Sequence, residues 1–104
     1  MRTVLHPEAE AELRAAALWY EDRRVGLGSE FITDLFALLE RVATSPKSFP
    51  VWPGTRSSTE PIRKVVMSRF PYLVAFEAHQ DFVLLLAVAH SKRRPLYWLR
   101  RAAR

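Results

Sequence analysis

Ile62-Arg-Lys-Val-Val-Met-Ser-Arg-Phe-Pro-Tyr-Leu-Val-Ala-Phe-Glu77 is followed, after a short polar break, by Phe82-Val-Leu-Leu-Leu-Ala-Val-Ala-His-Ser-Lys-Arg-Arg-Pro-Leu-Tyr-Trp98. Three strands can be read from these two runs. In Ile62 to Met67 the side chains of Arg63, Val65 and Met67 share one face and those of Ile62, Lys64 and Val66 the other, the period of two of extended backbone. Phe70, Tyr72, Val74 and Phe76 alternate with Pro71, Leu73, Ala75 and Glu77, and Pro71 fits only near a strand start or at a sheet edge. Ala78-His-Gln-Asp81 reads as a hairpin turn. Phe82 to Ala89 is apolar on both faces, which predicts a central strand with helices behind it and another layer or a partner in front. His90 stands at its exit. Ser91-Lys-Arg-Arg-Pro95 is a cationic turn, and Leu96-Tyr-Trp-Leu99 an aromatic segment with a helical turn begun by Pro95. Arg100, Arg101 and Arg104 are expected to form a frayed basic tail.

Upstream, Arg2 to Leu5 is short and extended. Pro7 supplies a helical φ at a position where no amide is needed, and Glu8, Glu10 and Glu12 put negative charge near a helix N-terminus. Ala9, Leu13, Ala16 and Tyr20 recur at helical spacing, widened by Ala17 and Leu18, so a helix is predicted over about Pro7 to Arg24, stopped by Gly26. From about Ser29 a second helix carries one stripe of Phe31, Leu35, Leu38 and Val42 and an adjacent one of Ile32, Phe36 and Leu39. The short Gly26-Leu-Gly-Ser29 connection makes the pair an antiparallel hairpin, whose remaining apolar arc needs the sheet to cover it. Ser45-Pro46 ends the second helix. Lys47 to Pro61, with its prolines, Gly54 and Ser57-Ser-Thr59, is a loop by composition. Phe49, Val51 and Trp52 are its apolar anchors, and Trp52 can serve either the core edge or a partner.

With 104 residues, about half of them hydrophobic and a quarter charged, the chain is read as one globular domain over residues 1–104. No apolar run is long enough for a bilayer span and no export signal is evident, so a cytoplasmic location without membrane contact is expected. With no cysteine and three scattered histidines, no disulfide, metal or cofactor is expected. Charge is unevenly divided. Residues 1–52 hold six Lys/Arg against eight Asp/Glu (net −2) and residues 53–104 hold ten against three (net +7), together the +5 of the whole chain. A polyanion or an acidic protein would be drawn to the second half.

The ordered set His6-Pro-Glu-Ala-Glu-Ala-Glu-Leu13, Trp19-Tyr-Glu21, Gly26-Leu-Gly28 with Phe31, Pro46 with Phe49-Pro50, Phe70-Pro-Tyr72, Ala87-Val-Ala-His90, Arg94-Pro95 and Tyr97-Trp98 resembles the RelE/ParE toxin superfamily of bacterial type II toxin-antitoxin (plasmid stabilisation) modules. The resemblance covers nearly the whole chain. It implies an α+β fold: a short N-terminal strand, an antiparallel helical hairpin packed on a mostly antiparallel three- to four-stranded sheet, and a short C-terminal helical segment. It also implies a cognate antitoxin that wraps the toxin in a hetero-oligomer. The target divides the family: ParE-like members poison DNA gyrase by binding it, whereas RelE-like members cut mRNA on the ribosome.

Metal-free RNA cleavage needs a base for the 2′-hydroxyl, an acid for the leaving oxygen and cations for the phosphorane. Lys64, His90, Arg93 and Tyr97 are the candidates for those roles. Arg63, Lys92, Arg94, Trp98 and Trp52 are the candidates for antitoxin or target binding. Against cleavage, the nuclease branch carries an arginine directly after the middle-strand tyrosine, and here Tyr72 is followed by Leu73. Losing one such transition-state contact typically costs about 2–4 kcal/mol. The balance favours a binding edge over a catalytic one, with a degenerate, non-toxic antitoxin-binding module as a third reading.

Overall fold

The computed structural model describes residues 1–55 and 60–102. Ser57-Ser58-Thr59 and Arg104, which belong to the loop and tail readings above, lie outside the described residues. The elements run β1 (Arg2–Leu5), α1 (Pro7–Arg23), α2 (Leu27–Thr44), a 3-10 turn (Pro46–Ser48), β2 (Ile62–Val66), β3 (Tyr72–Ala78), β4 (Phe82–His90) and a 3-10 turn (Leu99–Arg101). The sheet order is β1-β4-β3-β2. The meander β2-β3-β4 is antiparallel, and β1 adds to the outer side of β4 in parallel. β4 is therefore central, as its two apolar faces require.

α1 begins where expected. His6 accepts the Glu8 amide on Nδ1, Pro7 fills the first helical position, and Glu8 and Glu10 face the positive helix end. Its buried stripe is Ala9, Leu13 and Ala16. α2 starts two residues earlier than the glycines suggest. Gly26 takes φ 90° as its cap, while Gly28 lies inside the helix. The reason is Glu21 at the end of α1, whose carboxylate accepts the Gly26 and Gly28 amides at 2.8 and 2.9 Å. The cap comes from the preceding helix, and it pulls the two helices together. A Cβ on Gly28 would stand 2.5 Å from the Ala17 carbonyl oxygen, so only glycine permits that approach.

The stripe Phe31, Leu35, Leu38 and Val42 is buried against the sheet. The adjacent stripe is split. Leu39 is buried, but Phe36 is 46% exposed, at a depression it shares with Thr3 and Leu5 of β1. The helix-side core also takes Val74 and Phe76 of β3 and Val83, Leu85 and Val88 of β4.

A second core covers the other sheet face, with Ile62, Ala75, Leu86, Ala87 and Trp98. Its two consecutive β4 residues follow from an irregularity: Ala75 pairs with Ala87 but Phe76 with Leu85, leaving Leu86 as an extra residue in β4. The extra layer predicted in front of β4 is the chain's own C-terminal segment. That segment passes through Leu96 at φ 65°, a left-handed conformation costing a leucine roughly 1–2 kcal/mol. The burial of Trp98 is large enough to offset it.

The frayed-tail expectation is corrected at Arg101. Its side chain is 5% exposed and bonded into the fold, because a carboxylate on α1 waits for it. A second buried charge, Glu77 of β3, meets His79 Nε2 at 2.8 Å, and the His79 ring stacks on Phe82. No helix among the described residues is long and apolar enough to cross a membrane.

Candidate functional site

β1 ends at Leu5, whose pairing with β4 stops at Leu85. Beyond that point the outer edge of β4 would carry bare backbone groups, and an unpaired buried group costs about 1–3 kcal/mol. Two side chains take the place of the missing strand. Glu12 of α1 accepts the Val88 amide at 3.0 Å, and Arg101 donates to the Leu86 carbonyl at 3.0 Å. The two side chains also bind each other through both carboxylate oxygens, at 3.0 and 3.1 Å. The Tyr97 hydroxyl completes the cluster by donating to Glu12 Oε2 at 2.5 Å. Glu12 thus holds the C-terminal segment to the end of β4.

The electrostatics follow from this packing. Burial, and then the hydrogen bond to Glu12, push the Tyr97 hydroxyl far above the ordinary phenol range. Burial works against the Arg101 charge, but Glu12 and Glu8 outweigh it and raise its pKa. Arg93 lies 3.8 Å from Glu12, beyond hydrogen-bond range, with its guanidinium over the Tyr97 ring at 3.8 Å.

Beside the cluster runs a groove of about 700 Å³ between α1 and the ends of β3 and β4. Its helical wall is Glu12, Ala15, Ala16, Trp19 and Tyr20, the i, i+3, i+4, i+7, i+8 face of one helix. The two alanines are too small to fill the space, and that leaves the groove open. Pro71, Tyr72, Val88, His90 and Arg93 form the opposite side. Trp19 is 51% exposed, with the Arg23 guanidinium 3.8 Å over its ring. Tyr20 and Tyr72 are half-buried, and burial raises both hydroxyls above their usual range.

His90, Arg93 and Tyr97 do come together, around a small cleft that Trp52, Arg94 and Trp98 also line. His90 joins this cleft to the groove, packed edge-on to Tyr72 at 5.2 Å. Its Nδ1 accepts the Lys92 amide at 3.1 Å, so in the neutral ring the proton sits on Nε2. Lys64 is not among the cleft's lining residues, and its ammonium lies 5.0 Å over the Trp52 ring. Arg63 is turned to the helix side, where it donates to the Phe49 carbonyl at 2.8 Å and pins the loop to β2. Trp98 is 1% exposed and meets Trp52 edge-on at 5.0 Å, so it fills the second core and offers no surface. Lys92 and Arg94 are exposed. No group of three or more acidic, His or Cys side chains capable of holding a metal occurs among the described residues.

Glu12, Trp19, Tyr20, Tyr72 and Arg101 are the site residues that motif reading missed. The signal for four of them was present: two alanines flanked by Glu12 and Trp19-Tyr20 on one helical face, with Tyr72 after a strand-initiating proline. Arg101 gave no signal beyond its charge.

The sequence model for the ParE toxin of type II toxin-antitoxin systems, parDE, matches residues 3–95. All of the groove residues fall inside that span, whereas Tyr97, Trp98 and Arg101 lie beyond it. No curated protein matches the chain. A solved structure described as the chromosomal ParDE TA system from P. aeruginosa is similar over 86% of this chain and 95% of that one, with a TM-score of 0.69. At 15% identity that likeness is one of fold.

Proposed function

We propose, from the premise that this chain belongs to the ParE toxin family of type II toxin-antitoxin systems, that it is a toxin acting by binding proteins. A cognate antitoxin docks along the groove between Trp19 and Tyr72 and holds it inactive. DNA gyrase is the target once the antitoxin is lost.

The observation that carries this reading is the commitment of both candidate proton-transfer groups to internal bonds. The Tyr97 hydroxyl donates to Glu12 and is pushed away from the phenolate form, so it is a poor base at neutral pH. The His90 lone pair on Nδ1 takes the Lys92 amide, so the neutral ring has only its Nε2–H left to offer. Leu73 supplies no charge to a phosphorane. The groove supports the binding half of the reading, with an apolar wall and a few polar groups at one end, the make-up of a recognition site.

A supercoiling assay with purified gyrase tests the target. The chain is expected to inhibit supercoiling, and the antitoxin to restore it. Unimpaired supercoiling with a folded, growth-arresting toxin would transfer the proposal to another protein target. The rival reading, a ribosome-dependent mRNA endonuclease using Lys64, His90, Arg93 and Tyr97, requires Tyr97 and His90 to leave the bonds they hold here. A chain that binds its antitoxin tightly yet leaves growth unaffected would be a non-toxic binding module.

A further inference from the structure

The end of the groove nearest β4 holds unused donors. Glu12 is already saturated, with its two oxygens taking the Val88 amide, the Tyr97 hydroxyl and two Arg101 nitrogens. Arg93, at 3.8 Å, is the cation left over. Its guanidinium donates no hydrogen bond among the described residues, and its side chain is 57% exposed at the groove rim. His90 stands beside it on the same rim, with Nδ1 occupied and its Nε2–H available. Lys92 and Arg94 flank the two with exposed cationic side chains.

We infer that this corner is a carboxylate subsite. The segment that docks in the groove carries apolar side chains against Trp19, Ala15, Ala16 and Tyr72, and one Asp or Glu side chain that accepts from Arg93 and His90 Nε2. The inference rests on the groove reading above and names the chemistry of its occupant. A guanidinium with open donors recognises a planar carboxylate through paired N–H bonds, and the neighbouring imidazole N–H adds a third.

A nucleic acid fits the groove less well. Tracking a phosphate backbone takes a row of cations. Arg93 is the one Lys or Arg among the lining residues, and Lys92 and Arg94 cluster beside it at the same end, so the lining carries no row of cations along the groove. A single carboxylate at the Arg93 end, with apolar contacts along the rest, matches both the charge and its position.

Selection of a displayed random-peptide library on the intact chain tests this. Binders are expected to share aliphatic anchors and one Asp or Glu at a fixed offset from them. Exchanging that residue for Gln or Asn in a selected peptide should weaken binding to the wild type at least about tenfold, and barely further on Arg93→Gln, the signature of one shared contact. Circular dichroism confirms that the Arg93→Gln variant is folded. Apolar binders with no common acid, or additive losses from the two changes, overturn the subsite while leaving the groove reading intact. Binding that Trp19→Ala does not weaken overturns the groove reading and the subsite with it. Competition of the peptides by single-stranded RNA, lost in Arg93→Gln, would assign the corner to nucleic acid and overturn the carboxylate.

Discussion

Glu12→Gln separates the charge at the centre of the C-terminal clasp from its shape. Glu12 Oε1 serves the Val88 amide and one Arg101 nitrogen, and Oε2 serves Tyr97 and the other. A glutamine keeps one acceptor and turns an NH2 toward the other pair. One charge-assisted bond to Arg101 is lost, worth about 1.5–3 kcal/mol. The guanidinium, 5% exposed in its side chain, also keeps its charge with only the more distant Glu8, 3.4 Å away, to balance it. Breaking a fully buried pair costs about 3–5 kcal/mol, and Glu12 is a little less than fully buried, so about 3 kcal/mol is expected. For a domain of about 100 residues that corresponds to a drop of roughly 10–20 °C in Tm by circular dichroism. Glu8→Gln, whose carboxylate is half exposed and makes longer contacts to Arg100 and Arg101, is the matched control and should cost under about 1 kcal/mol. Equal melting temperatures for the two variants would refute the idea that Glu12 holds the C-terminal segment in place.

Raising the pH should destabilise the fold. Tyr20, Tyr72 and Tyr97 all have hydroxyls raised by burial, so above about pH 10 the unfolded chain loses protons that the folded one keeps, and stability present at neutral pH declines. Urea midpoints between pH 8 and 11 should fall in the wild type, and less steeply in Tyr97→Phe. Gly28→Ala would ordinarily stabilise a helix by about 1 kcal/mol, but the 2.5 Å approach to the Ala17 carbonyl reverses the sign, and a loss of about 1–3 kcal/mol in denaturant unfolding is expected. Trp98→Ala should cost about 3–5 kcal/mol by emptying the second core, whereas Trp19→Ala should cost under about 1 kcal/mol while weakening antitoxin binding in a titration.

Where each feature could be read depended on how local its cause is. The meander and the helical hairpin rest on periods of two and of 3.6, and these are visible in Tyr72 to Phe76 and in Phe31 to Val42. The central place of β4 followed from its two apolar faces. The parallel pairing of β1 to β4 was not legible, since four residues carry no register signal. Neither was the early start of α2, which depends on Glu21 reaching back from another helix. The role of Arg101 was hidden for a similar reason. Its partner lies 89 positions away, and charge alone made it look like solvated tail. The candidate site divided along the same line. The grouping of His90, Arg93 and Tyr97 could be expected from one strand exit, and the His90 bond to the Lys92 amide is local, but the commitment of Tyr97 to Glu12, 85 positions away, needs a three-dimensional neighbour. Leu73 was legible at once, because a missing cation needs no partner to be noticed.

Growth arrest by protein binding leaves messenger RNA intact, and that is the sharpest division between this account and its rival. Primer extension on translated messages, made as growth stops after induction of the chain without its antitoxin, should show no new 5′ ends in the ribosomal A site. New cuts there, lost on mutating His90 or Tyr97, would contradict it.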